Sequence, residues 1–205
     1  MRERIIEKES WRSEPIRIVK LKTKVGTVEL RKKFEDDDDW LKGFTATVQN
    51  VSEKAIARVV LRLDFPRPDG ASENQVTYTT RVMWGRDPAD LKNEALNLIR
   101  PGERVEAKLV EANIPIIKSD LKALGYSDQT DRVRLLIDEV IFADRSMWTA
   151  GEILYPDPSD PMRWINPKYP TNKGQAWHHF QAASFAASAD QSPLLVQLAT
   201  FSGEY

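Results

Sequence analysis

The chain is predicted to be mainly β, an antiparallel β-sandwich with one short inserted helix and a C-terminal extension. Three observations point there. Phe44, Ala46 and Val48 alternate with polar neighbours, and Val59, Leu61, Leu63 and Phe65 do the same after the polar break Asn50, Ser52, Glu53 and Lys54. Period-two alternation puts one face in a core and the other in water, so Phe44 to Phe65 reads as an antiparallel hairpin. The same pattern recurs from Val133 to Phe142, and again through Val76, Tyr78, Thr80 and Val82.

Taken in order, residues 1–14 are polar and without period, and read as a flexible lead or a short helix. Pro15 opens a strand in which Ile16, Ile18 and Leu21 slip by one residue, the mark of a bulge. Val28 and Leu30 continue extended structure beyond a turn at Gly26. The run Phe34–Trp40, with four successive aspartates, reads as a surface loop. Pro66, Pro68, Asp69 and Gly70 end the second central strand. Residues 84–100 read as a long loop with a helical turn. Pro101-Gly102 turns into a strand carrying Val105, Ala107 and Leu109 on one face. Ile114–Gly125 reads as the helix, with Pro115 in its first turn and Gly125 as its stop. Along Val133–Phe142 the apolar phase switches between Ile137 and Val140, a second bulge. Met147–Leu154 reads as a closing strand.

From Tyr155 the character changes. Five prolines in residues 155–170 indicate a surface segment, pinned by Trp164 and Tyr169. Beyond Gly174 charge almost disappears. The expected layout is a lead over 1–14, a sandwich domain over 15–155, a proline-rich segment over 156–174 and an apolar docking segment over 175–205.

The 205 residues suit one domain of about 150 residues with extensions. Lys and Arg number 30 against 31 Asp and Glu, so there is no basic surplus of the kind that nucleic-acid binding exploits. No apolar run reaches the roughly 20 residues of a membrane span. The charged opening MRERIIEKESW reads against a signal peptide, which leaves a cytoplasmic protein or the mature form of an exported one. The absence of cysteine excludes disulfides and thiol chemistry.

The stretches VQNVSEKAIARVVLRLDFPRPDG and IRPGERVEAKL, with VRLLIDEVIFADRSMWTAGEILYPDPSDPMRWI later, resemble the FxLYD-type group of bacterial immunoglobulin-like modules and similar uncharacterised exported proteins. The resemblance covers roughly residues 15–166. It implies an immunoglobulin-like sandwich without enzymatic activity, an interaction module of the cell envelope or the extracellular space. It names no ligand.

Few residues carry chemistry. Asp36, Asp37, Asp38 and Asp39 offer oxygen ligands of the kind calcium takes, but four adjacent residues in an extended segment point to alternate sides and lack the spaced calcium-loop pattern. Asp157, Ser159 and Asp160 are a weaker option. His178 and His179 are adjacent, diverge on a helix, and lack the H-E-x-x-H spacing. Ser10, Ser127 and Ser146 sit in no nucleophile motif. Among six tryptophans, Trp84 is the expected exposed platform for a sugar, against the ordinary reading of large aromatics as core. No enzyme, cofactor or metal is expected.

The nearly uncharged C-terminal segment is the strongest functional signal. Exposed, it would form an apolar patch larger than monomers tolerate. It must cover its own sandwich or a neighbour. The expected function is a non-enzymatic interaction or structural subunit, docking on a protein partner or on a second copy through Trp177, Phe180, Phe185, Leu194, Leu195 and Phe201. The alternative is ligand recognition by the loops, of carbohydrate or calcium, through Trp84 and Asp36–Asp39.

Overall fold

The computed structural model describes residues 1–67, 77–86, 97–126, 131–168 and 177–178. The strands are β1 (Arg2–Lys8), β2 (Ile16–Thr23), β3 (Gly26–Val28), β4 (Lys33–Asp36), β5 (Thr45–Asn50), β6 (Ile56–Phe65) and β7 (Tyr78–Gly85). They continue as β8 (Arg104–Lys108), β9 (Arg132–Phe142), β10 (Met147–Thr149), β11 (Glu152–Asp157), β12 (Asp160–Ile165) and β13 (Trp177–His178). One helix, α1 (Ile114–Ala123), interrupts them. The fold is mainly β and sandwich-like, as the alternation predicts.

Strand order runs β13-β12-β11-β10-β9-β6-β7-β8-β5-β2-β3. β7 and β8 meet at one register pair, Met83 with Lys108. The sheet folds over there, so β2, β5 and β8 face β7, β6 and β9. Ala46 and Val48 of β5, Leu61 and Leu63 of β6, and Leu135 and Ile137 of β9 share one core, each fully buried.

This order corrects the expected hairpin. β5 pairs with β2 and β8, whereas β6 pairs with β7 and β9. The break between them is an arch that crosses from one layer to the other. Asn50, fully buried, holds its corner. Its Nδ2 donates to the carbonyls of Lys54 (2.8 Å) and Ile99 (2.9 Å), and its Oδ1 accepts from the Ser52 amide (2.9 Å) and hydroxyl (2.7 Å). Such a turn satisfies buried polar groups that a hairpin would leave to its ladder.

Both expected bulges are present. The β2–β5 register shifts between Ile18 and Lys20. On β9 the register skips from Ile137 to Glu139, leaving Asp138 as the extra residue. The helix also forms as expected. Ile114, Ile117 and Leu121 form its buried face, Pro115 stands in its first turn, and Gly125 leaves it at φ +76°. Tyr78 on β7 ties it down by donating its hydroxyl to Asp120 (3.2 Å).

Other expectations differ from the structure. The supposed flexible lead contains β1, which runs antiparallel to β4 and parallel to β9. Its inward residues are Arg4 and Ile6, and a buried arginine hides the alternation. The presumed closing strand is a hairpin, β10 and β11, turned at Ala150 (φ +47°) and Gly151 (φ +87°). Two successive positive φ values make the tight turn such hairpins favour. The proline-rich segment is likewise paired, β11 with β12: Pro156 lies beyond the β11 residues that pair with β10 and at a register shift, and Pro161 has no register partner, positions where a missing N–H is tolerated. Trp164 does pin it: the ring is buried, and Nε1 donates to the Arg145 carbonyl at 3.0 Å. Tyr169 lies outside the described residues. Among the described residues no helix is long and apolar enough to cross a membrane.

Candidate functional site

The acidic run is built into the fold rather than looped into solvent. Asp36 ends β4 and is buried, accepting from the Thr23 hydroxyl (3.1 Å) and the Asp37 amide (2.8 Å). Asp37 pairs with Lys24, Asp38 with Arg4 (2.9 Å), and Asp39 with both Lys42 and Lys118. The four carboxylates thus diverge onto separate protein partners. Among the described residues no group of three or more His, Asp or Glu is placed to hold a metal ion.

Charge neutralisation shows in their acidity. The hydrogen bond from Lys24 lowers the Asp37 pKa, and the reciprocal bond raises that of Lys24. Hydrogen bonds from Lys118 and Lys42 pull Asp39 down from 3.8 to about 2. The folded value lies below the unfolded one, so this stabilisation is present above about pH 4 and is lost as the pH falls toward about 2. Asp39→Asn is expected to flatten that part of the acid limb. Urea midpoints measured from pH 5 to pH 2 test it; an unchanged slope in the variant would refute the assignment.

The tryptophans also differ from the sugar-platform expectation. Trp84 lies on β7, half-buried against the core, not in a loop. Trp40, Trp148 and Trp164 are each about 1% exposed. Trp11 is exposed, at 40%. Ser146 is buried in an Asp144 turn, its hydroxyl donating to Asp144 Oδ1 (2.6 Å), which marks a structural role. Of the expected docking residues, Trp177 belongs to β13, whose backbone pairs with β12 in the register Trp164–Trp177 and Arg163–His178. Phe180, Phe185, Leu194, Leu195 and Phe201 lie outside the described residues, as do His179 and Ser127.

The polar constellation that the fold does assemble is on the outer face of β6, β7 and β9. Register sets Arg62 against Arg81 and against Leu136, and Asp64 against Thr79 and Arg134. Two arginines directly opposite repel. The β9 bulge supplies the remedy by re-aiming Asp138. Its carboxylate lies 3.2 Å from Arg62 Nη1 and 3.3 Å from Arg81 Nε. Arg62 Nε also lies 2.8 Å from Asp64 Oδ1. Burial raises the Asp64 pKa, because desolvation of its largely buried carboxyl outweighs the attraction of Arg62.

Beside this network lies a cleft of about 640 Å³ lined by Arg62, Asp64, Arg67, Thr77, Thr79 and Arg134. A second, of about 590 Å³, opens on the other side of Arg134 toward Glu7, Lys8, Ser10 and Arg31. No catalytic or binding motif in the sequence marks this face. The phase switch around Asp138 was its one sequence signal.

Comparison with protein-family models, with curated proteins and with solved structures finds no match.

Proposed function

We propose that this chain is a non-enzymatic protein-interaction or structural subunit that docks through residues 175–205 onto a partner or a second copy. The observation that carries the reading is the position of β13. It enters the fold as the terminal strand of the order among the described residues, so the nearly uncharged segment starts from a sheet edge. Edges accept further strands, and apolar burial there stabilises association by about 25 cal/mol per Å². An immunoglobulin-like module of the FxLYD type, in an envelope or extracellular assembly, is the setting we favour.

Light scattering after size exclusion tests the proposal on the full chain and on a Leu194→Asp, Leu195→Asp variant. The full chain is expected above its monomer mass of 23.4 kDa, alone or with its partner, and the variant at that mass with an unchanged β-type circular dichroism spectrum. A variant that still assembles, or a full chain that stays monomeric at every concentration and captures no partner, would overturn it.

A further inference from the structure

We propose that the cleft between β6, β7 and β9 is a subsite for an oxyanion, the phosphate or carboxylate of an acidic ligand, with the Arg134 guanidinium as its principal donor. The proposal is independent of the docking segment.

Charge accounting on this face leaves Arg134 with no carboxylate in ion-pair contact, only the longer-range attraction of Asp64. Asp64, its register partner, is turned to Arg62, at 2.8 Å from Nε and 3.2 Å from Nη2. Asp138 is shared between Arg62 and Arg81. Glu7, the register partner on the β1 side, lies 3.6 Å from Arg132. Arg134 is exposed and makes no hydrogen bond or ion pair with any described residue. It has a neighbouring carboxylate on each side and is the first choice of neither.

Shape and chemistry agree with charge. Arg134 lines a concave surface, and about 640 Å³ lies within the range of small-ligand sites. The planar fork of a guanidinium matches the paired oxygens of carboxylate and phosphate. Arg62 stands beside it, held in place by two carboxylates, so its positive edge is preorganised. The hydroxyls of Thr77 and Thr79 add neutral donors on the opposite wall. A ligand longer than its anionic group can pass Arg134 into the second cleft, where Lys8 and Arg31 stand.

The test is an amide NMR titration of the full chain with inorganic phosphate and, separately, with malonate, chloride keeping ionic strength constant. Saturable shifts are expected at Asp64, Thr79 and Arg134. Saturation by phosphate alone supports the proposal with a phosphate ligand; saturation by malonate alone supports it with a carboxylate. Arg134→Gln is expected to weaken binding roughly tenfold or more, as for loss of a charge-assisted hydrogen bond. Arg134→Lys, keeping charge without the fork, should weaken it less. Lys22→Gln, on the far layer, should leave it unchanged. Linear shifts with both anions, or an Arg134→Gln chain that binds as the parent does, would overturn the subsite.

Discussion

Replacing Asp38 and Asp131 together by asparagine is expected to destabilise the fold by about 3 kcal/mol, the cost of stranding a buried charge. Both carboxylates are more than half exposed, at 56% and 60%, and by surface reasoning alone would matter little. Their importance lies in their shared partner. The Arg4 side chain is fully buried, with Nη1 at 2.6 Å from Asp131 and Nη2 at 2.9 Å from Asp38 and 3.2 Å from the Asp37 carbonyl. Guanidinium does not shed its proton on burial. Without the two carboxylates its desolvation is offset by neutral acceptors alone. Asparagine oxygens can still accept, which places the estimate at the low end of the range for broken buried pairs.

The companion variant Arg4→Met is expected to cost less than the double asparagine variant. It removes the buried charge together with its desolvation and keeps a long side chain in the space. Urea denaturation of both variants measures the order. If the double asparagine chain lies within about 1 kcal/mol of the parent, the exposed aspartates do not hold Arg4 in the way described. Protection of the β1 amides gives a second readout, since Arg4 ties β1 both to the acidic run and to the entry of β9.

The other large effect is at Gly85. Its φ is +79°, and a Cβ there would stand 2.0 Å from the Ala57 carbonyl oxygen and 3.2 Å from Arg58 Cα. Both obstacles are backbone, so no rotamer change relieves them. β7 would have to leave β6 at its end, where Gly85 registers with Arg58 and Trp84 packs on the core. Gly85→Ala is expected to cost about 3–5 kcal/mol, or to prevent folding. Gly102 separates the two contributions. Its φ is +83° with nothing within 4 Å of the added Cβ, so Gly102→Ala carries only the left-handed backbone cost, about 1 kcal/mol. Equal melting temperatures for the two alanine variants would show that the β6–β7 approach is not a constraint.

The candidate subsite depends on contacts of a kind no local pattern encodes. Arg62 and Asp138 are 76 residues apart and meet because β6 and β9 adopt one register with one bulge. Arg134 is left without a closer partner by what Asp64 and Glu7 do on two neighbouring strands. Charged residues alternating with apolar ones mark a wet face, and nothing in that pattern tells a salt-bridged arginine from one without an ion-pair contact.

By itself the sequence determined which residues face the core along β5, β6 and β9, both bulges, and the helix with its proline start and glycine stop. These are local matters: a period of two or 3.6, a slipped phase, a φ that only certain residues favour. Tertiary structure alone decided that β5 and β6 lie in opposite layers, that a charged opening segment becomes β1 around a buried arginine, and that four adjacent aspartates each serve different partners. An arch and a hairpin present the same alternation. Which one forms depends on burial and hydrogen bonding between segments distant in the chain, as at Asn50, whose amide reaches Ile99 across the corner.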